Sequence, residues 1–464
     1  MKTLICLSIL FSSAFAFAQQ PIGRFTKTFV DTSRANRNIQ TEIYYPAVTA
    51  GNNTAVAPGE YPVIVFGHGF VMGWDAYANL WEEFVPRGYI MVFPRTEGNA
   101  FSTDHQKFGW DLQYLVSELQ NEGNLTTSIL YNAVSPATAL MGHSMGGGAA
   151  FLAADSLCTN GNINLKTLIG LAPAESSTNG VSSIASASRV TVPSLILSGI
   201  QDGVTPPADH HIPMYNALAS TCKTILKIIG GAHCYFANTN AACDFGEGSS
   251  STGISITRNQ QHQVTFDFVN SWLDYTLKNE CSAFTVFQDS VAVSTRITYD
   301  QACNIILPSI DVTIAQTASQ LSSNENGAAA YRWLNCANSY APIPNETSQT
   351  FSPASNGDYA VEITVNGCKD TSSCISFTGS LGIDIKNLSS ISFYPNPAKD
   401  ILSISTTENI NFTLIITDLN GKIILTKSDV TNGTTISLSK IEAGSYFLTF
   451  SSENQKVVQR FIKQ

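Results

Sequence analysis

Apolar and polar positions alternate between residues 22 and 46, with Phe25, Phe29, Ile39, Ile43 and Tyr45 on the apolar side. A two-residue period predicts antiparallel strands with one buried face. The rhythm then changes. Pro62-Val63-Ile64-Val65-Phe66 is a continuous apolar run that stops at Gly67-His68-Gly69-Phe70, as a strand buried on both faces does when it feeds a tight loop. Comparable runs recur at residues 89–94, 138–141, 167–171, 194–198 and 225–229. Residues 77–86, 108–119 and 149–154 between them read as helices, and 263–277 predicts a closing amphipathic helix. Strands alternating with helices imply an α/β fold with a mostly parallel sheet covered on both faces.

After Cys281 the texture changes. Short β-type runs separated by Asn, Gly, Ser and Pro take over, and no helix is expected. Residues 309–378 read as one small β-sandwich and residues from about 388 onward as another all-β module. In the latter, Asn420-Gly421 between apolar runs predicts a two-residue hairpin turn. Neither part carries a catalytic grouping, and no repeat of fixed period runs through the chain.

At 464 residues the chain is too long for one core, so two to four domains are expected. Charged residues make up 13%, the net charge is −10, and no basic stripe appears. That balance excludes nucleic acid as a partner and suits an extracellular protein. Met1-Lys2, an apolar run and Ala16-Phe17-Ala18 read as a secretory signal cleaved after Ala18. The apolar run is shorter than the roughly 20 residues of a membrane span, so no membrane span is expected. Export permits disulfides. Cys6 leaves with the signal, and nine cysteines remain, an odd count that leaves one thiol free. Cys234 with Cys243 and Cys281 with Cys303 are the expected pairs from local spacing. Zinc is excluded because no Cys/His grouping has paired ligand spacing.

The candidate chemistry starts at Gly142-His143-Ser144-Met145-Gly146, a G-x-S-x-G run between an apolar strand and an Ala-rich helix. It predicts a nucleophile elbow, in which the glycines let strand and helix approach and the turn presents the Ser144 hydroxyl. A serine hydroxyl needs a base, and the base needs a carboxylate to fix its tautomer. Asp202 lies just past one apolar strand and His233 just past the next, giving the order Ser, Asp, His that this topology requires. Among the rivals, Asp155 lies within the elbow helix and faces away. His262 and Asp267 border the last helix, and His210 and His211 follow Pro206-Pro207 on an expected surface loop. His143 reads as a packing residue and His105 as a polar loop residue. Oxyanion donors are expected from the backbone N–H groups of Met145 and Phe70. Trp110 is expected in the core.

These motifs carry a resemblance. Residues 20–280 resemble the α/β-hydrolase-fold polyester hydrolases, the bacterial cutinases and poly(ethylene terephthalate) hydrolases of the dienelactone-hydrolase-like group. It rests on Gly142-His143-Ser144-Met145-Gly146-Gly147-Gly148, Ala172-Pro173 with Ser176-Ser177-Thr178, and Val192-Pro193-Ser194-Leu195-Ile196. Asp202 with Pro206, and Gly230-Gly231-Ala232-His233, complete it. The resemblance implies a Ser144–Asp202–His233 triad without cofactor or metal, and a substrate cleft lined by Phe70 and Met145. It also implies a disulfide between Cys281 and Cys303 at the end of the hydrolase domain. Where such enzymes carry a tryptophan wall, this chain has Ala174; Trp74 is the substitute aromatic surface considered. Residues 234–253, Gly/Ser-rich, read as a mobile loop bordering the cleft.

Residues 391–464 resemble the type IX secretion sorting domain of Bacteroidetes through Tyr394-Pro395-Asn396-Pro397-Ala398, Asp418-Leu419-Asn420-Gly421-Lys422 and Gly444-Ser445-Tyr446-Phe447. The middle module resembles Ig-like spacers. The expected organisation is therefore a signal peptide (1–18), an α/β-hydrolase domain (20–280), a linker and domain end (281–308), an Ig-like β module (309–380) and a sorting domain (388–464). The expected function is a monomeric, secreted or surface-attached serine ester hydrolase acting on a polyester or other ester, and engaging the type IX secretion machinery. A lipase, a chlorophyllase-like or small-ester esterase, and a non-catalytic adhesin are the alternatives.

Overall fold

The computed structural model describes residues 20–176, 180–328, 330–338, 340–379, 391–406, 411–452 and 455–464. The expected signal segment, and Ser177-Thr178 of the motif above, lie outside the described residues. The described residues up to Pro353, together with 357–377, form one compact unit; residues 354–356 and 378–464 belong to the other.

The larger unit is built on one sheet. In chain order its strands are β1 (Ile22–Asp31), β2 (Arg37–Pro46), β3 (Gly51–Asn52), β4 (Tyr61–Gly67), β5 (Ile90–Pro94), β6 (Val134–His143), β7 (Leu165–Leu171), β8 (Ser194–Gly199), β9 (Cys222–Ile228) and β10 (Ile297–Cys303). Their order across the sheet is β10-β9-β8-β7-β6-β4-β5-β2-β1-β3. The stretch from β5 to β9 is parallel, whereas β1, β2 and β10 pair antiparallel at the flanks. Every residue of β4, β5 and β8 is buried, as continuous apolar strands require when helices cover both faces.

Those helices are α1 (Ala78–Phe84), α2 (His105–Asn124), α3 (Met145–Thr159), α4 (Ser183–Ala187), α5 (His211–Ala217), α6 (Ala241–Ser250), α7 (Arg258–Lys278) and α8 (Cys281–Val293). Leu112, Leu115 and Leu119 of α2 pack with Phe151 of α3 and Met214 of α5 on one face. Leu80 and Phe84 of α1, Phe268 and Trp272 of α7, and Phe287 of α8 fill the other. A capping box, Thr257 with Gln260, starts α7, satisfying two N-terminal backbone donors reciprocally.

The structure corrects several expectations. Residues 281–308 are not simply a linker: α8 lays Phe284, Phe287 and Val291 into the core, and β10 extends the sheet. The Cys281–Cys303 pairing is overturned by that same strand. Cys303 stands opposite Cys222 in the β9–β10 register and bonds it, while Cys281 bonds Cys368 of the β module. Cys234 bonds Cys243 and Cys336 bonds Cys374; Cys158 is free. The 234–253 segment is not an open loop, because Asn240 caps α6 through the Cys243 N–H. Trp110 lies on the outer face of α2, 43% exposed, with the Arg34 guanidinium 5.9 Å from its ring centroid.

The β module stacks two small sheets, residues 314–316, 321–323 and 350–351 against 330–335, 341–342, 357–365, 368–371 and 375–377. Its core is Trp333, Phe351, Val361, Ile363 and Phe377. The C-terminal module likewise pairs a three-stranded and a four-stranded sheet around Leu402, Leu414, Leu448 and Phe461. Its 412–417/423–430 hairpin exists, but the connection is longer than two residues. The Asp418 carboxylate accepts the N–H groups of Asn420 and Lys422, an Asx-type turn that draws five residues into the loop.

Candidate active site

The site is assembled at the C-terminal ends of β4, β6, β8 and β9. At the end of β6, Ser144 takes φ 55° and ψ −121°, a backbone conformation costly for a side-chain-bearing residue. The glycines around it permit the turn. A Cβ on Gly146 would lie 2.1 Å from the carbonyl carbon and oxygen of Gly67, and one on Gly142 would lie 2.3 Å from the Gly146 oxygen. The chain leaves directly into α3, so Met145 N–H is one of the donors that a helix start leaves without an intrahelical partner. Ser144 N–H donates to Leu171 O, and Ser144 O accepts from Gly148 and Ala174, which pins the turn to β7 and the loop beyond it.

Asp202 and His233 follow β8 and β9. His233 Nδ1–H donates to Asp202 Oδ2 at 2.7 Å, leaving Nε2 as the free ring nitrogen. Asp202 Oδ1 accepts the N–H groups of Val204 at 2.9 Å and Thr205 at 2.7 Å. Burial by itself raises the Asp202 pKa. The hydrogen bond from His233 and its charge, together with the Thr205 N–H, outweigh it and hold the carboxyl below its ordinary value. The pair is therefore a carboxylate facing an oriented imidazole, with His233 only 1% exposed.

The loop after β4 joins this array from the other side. Gly69 N–H donates to Tyr77 Oη at 2.8 Å, and Tyr77 O–H lies 2.8 Å from His143 Nδ1. His143 Nε2 is 3.0 Å from the carbonyl oxygen of His233. A carbonyl only accepts, so the proton sits on Nε2 and Nδ1 accepts from Tyr77. Burial first, and the neighbouring His233 second, push His143 well below the ordinary histidine range, so it stays neutral. One chain of bonds thus joins the Gly67–Phe70 loop, the residue before Ser144 and the backbone of His233. Phe70 is half exposed, and its N–H meets no acceptor among the described residues.

The remaining expected residues are less uniform. Met145 is buried in the core cluster, so its side chain contributes little open surface. Ala174 is part-exposed on the loop after β7. Glu175 beside it turns away, its carboxylate accepting from Ser182 Oγ and Ile184 N–H at the start of α4. The Trp74 indole is engaged elsewhere: Nε1–H donates to Tyr44 Oη at 3.2 Å, and the Arg95 guanidinium stacks 4.1 Å from its ring centroid. His105 opens α2 and bonds Ser176 Oγ. Asp155 is paired with Arg189 and Asp267 with Arg296.

The sequence reading missed three features. His211 is fully buried rather than on a surface loop, and Thr205 reaches both members of the Asp202–His233 pair. Glu247 of α6 accepts the Cys234 N–H, and the Arg258 guanidinium donates to Cys234 O, so the residue after His233 is clamped on both backbone groups. Among the described residues no cluster of His, Cys, Asp and Glu is arranged to hold a metal ion.

Comparison with known proteins agrees with this architecture. Residues 12–251 match a family described as PET hydrolase-like, and residues 392–464 match a secretion system C-terminal sorting domain. Cutinase 1 of Thermobifida cellulosilytica is 29% identical over 193 residues, covering 41% of this chain and 64% of that protein. A cutinase of Thermobifida fusca (strain YX) is 29% identical over 193 residues, covering 41% of this chain and 56% of its own length. Cutinase est1 of Thermobifida alba is 26% identical over 194 residues, with the same coverage of 41% and 56%. The chain thus spans less than two thirds of the length of these relatives.

Proposed function

The chain belongs to the PET hydrolase-like family, and we propose that it is an exported serine ester hydrolase in which Ser144, His233 and Asp202 act together. Ser144 Oγ attacks the ester carbonyl carbon while His233 Nε2 takes the hydroxyl proton. Asp202 holds the imidazole in its Nδ1–H tautomer and stabilises the imidazolium. The Phe70 and Met145 N–H groups receive the oxyanion, each worth about 3 kcal/mol in the transition state. The C–O bond to the alcohol breaks, and the alcohol departs with the proton from His233. Water, deprotonated by the same nitrogen, then attacks the acyl-enzyme and releases the carboxylic acid. The observation that carries this reading is the 2.7 Å His233–Asp202 bond, set beside a strained elbow serine.

The substrate class follows from location and kinship. The sorting domain implies delivery by the type IX machinery to the cell surface or beyond, after a signal peptide at residues 1–18 has opened the export route. An enzyme placed there meets polymeric or lipid-like esters that cannot enter the cell, and the relatives compared are named cutinases. A second reading, a lipase or small-ester esterase, is favoured by Ala174, which stands where the resembled enzymes carry a tryptophan, and by the engagement of Trp74 with Tyr44 and Arg95.

The test is turnover of a short-chain aryl ester and of a poly(ethylene terephthalate) film by the full chain beside Ser144→Ala. Turnover of both, reduced by at least about 10⁴-fold in the variant, supports the polyester reading. Turnover of the aryl ester alone moves the substrate to small or lipid esters. Undiminished hydrolysis by Ser144→Ala overturns the mechanism.

A further inference from the structure

Behind Asp202 lies a second buried array that the triad chemistry does not use. Thr205 Oγ1 is 2.9 Å from Asp202 Oδ2, 2.9 Å from His233 Nδ1 and 3.1 Å from His211 Nε2. The other nitrogen of that imidazole, His211 Nδ1, is 2.7 Å from Ser198 Oγ. Thr205, His211 and Ser198 come from three elements: the loop after β8, the first residue of α5 and β8 itself. Ser198 and His211 are 0% exposed and Thr205 is 5% exposed.

The protons can be assigned. Asp202 is ionised and only accepts, and His233 Nδ1–H is committed to its Oδ2. His211 is neutral: burial pushes its pKa down to about 3, and its place at the first position of a helix opposes a positive charge as well. A neutral imidazole has one N–H. Asp202 Oδ2 lies 3.9 Å from His211 Nε2, so the proton belongs on Nε2, facing the carboxylate, and Nδ1 accepts from the Ser198 hydroxyl. The Nε2–H faces Thr205 Oγ1 and the Ala172 carbonyl oxygen, and the Thr205 hydroxyl, with Asp202 Oδ2 at 2.9 Å and Ala172 O at 3.4 Å, donates to the nearer, charged carboxylate.

We propose that Thr205 and His211 are positioning residues for the proposed triad: Thr205 donates to the Asp202 oxygen that also holds His233 Nδ1–H, and His211 fixes the direction of that donation. Asp202 Oδ2 is then held between two donors and Oδ1 between two backbone N–H groups, so the carboxylate cannot rotate away from the imidazole. Without the Thr205 hydroxyl the carboxylate gains torsional freedom, and His233 with it. Neither residue touches the ester, so the loss falls on kcat and leaves KM alone.

The inference rests on the triad reading of Ser144, Asp202 and His233. The experiment compares full-chain wild type, Ser144→Ala, Thr205→Val, Thr205→Ser, His211→Phe and the Thr205→Val/His211→Phe pair on a soluble aryl ester, with thermal melts confirming folding. Thr205→Val, which keeps the shape and loses the hydroxyl, is expected to lower kcat about tenfold with KM changed by less than about twofold. Thr205→Ser is expected to return kcat to within about threefold of wild type. His211→Phe is expected to lose about fivefold, and the pair to be no slower than Thr205→Val by more than about twofold, because both act through one hydrogen bond.

Wild-type kcat in Thr205→Val, no rescue by serine, or multiplying losses in the pair overturns the proposal. If Thr205→Val does not fold, His211→Phe decides, and a kcat within about twofold of wild type overturns it. Activity surviving in Ser144→Ala is a different failure, that of the triad reading itself.

Discussion

Ser144 is held with φ 55° at a cost of about 1–3 kcal/mol, and glycine backbone, not side-chain packing, makes room for it. Gly146→Ala would drive a Cβ to 2.1 Å from the Gly67 backbone, where no side chain can yield. Chemical denaturation is expected to show a loss of more than about 3 kcal/mol. Gly248→Ala, on exposed α6 with nothing within 4 Å of its added Cβ, is expected to gain about 0.5–1 kcal/mol. Acidity reads out the buried histidines. The unfolded chain protonates His211 below about pH 6.5, while the folded chain refuses the proton until about 3 because the imidazole is buried. The unfolded state therefore binds more protons across that window, and stability falls as pH falls, by about 2 kcal/mol at pH 5 from this residue. The melting temperature of wild type should drop between pH 7 and pH 5, and that of His211→Phe should drop less. His143, also held neutral by burial, keeps a residual slope in the variant. The positions of Ser144, Asp202 and His233 at the ends of β6, β8 and β9 were legible because each follows an apolar run. His211 was not, since two histidines after Pro206-Pro207 look like a polar loop and burial is decided by α5 folding back against β8.

Among the elements, the strands read best, because continuous apolar runs such as 62–66 admit few alternatives at that length. Four helices, α4, α5, α6 and α8, have no counterpart in the sequence pattern as read, and two of them show different reasons. In α6, Gly246, Gly248, Ser249 and Ser250 oppose helix formation by propensity. The helix is held instead by the Asn240 cap, the Cys234–Cys243 bond and the buried Glu247 carboxylate. In α8 the signal is present: Phe284, Phe287 and Val291 recur at helical spacing, but the change of texture after Cys281 reads as a domain end and masks it. Phe287 is fully buried against Trp272 and Phe268, so Phe287→Ala is expected to cost about 3–5 kcal/mol in denaturant unfolding. Val286, its 56% exposed neighbour, should tolerate alanine within about 0.5 kcal/mol. Equal losses at the two positions would mean that α8 does not pack as described.

At the scale of the molecule, the β module is fastened to the hydrolase domain rather than strung after it. Cys281 at the start of α8 bonds Cys368 across 87 residues of sequence. Beside it, Lys369 N–H donates to Asn279 O and Glu280 forms a parallel bridge with Lys369. A cavity of about 800 Å³ runs along this seam, lined by charged groups that include Lys278, Glu280, Arg332, Glu362 and Lys369. Crowded acidic neighbours are held there by burial and by the seam: Glu280 is pushed up to about 7, by desolvation first and then by Asp274, Glu362 and Asp370. No spacing rule could have found this bond, because one partner opens α8 of the hydrolase domain and the other lies in a module that reads from sequence as a separate spacer. Closing a loop of that length is worth about 4–5 kcal/mol by restriction of the unfolded chain. A protease site inserted after Ser309, in the stretch between β10 and the module, tests the connection directly. Once cut, the wild-type arrangement should migrate as one species without reductant and as two with it. In the Cys281→Ser/Cys368→Ser variant the cut should give two species in either condition, and the uncut variant should unfold at lower denaturant. Two species from the wild-type arrangement without reductant would show that the staple is absent, and with it the physical reason for treating hydrolase and β module as one unit.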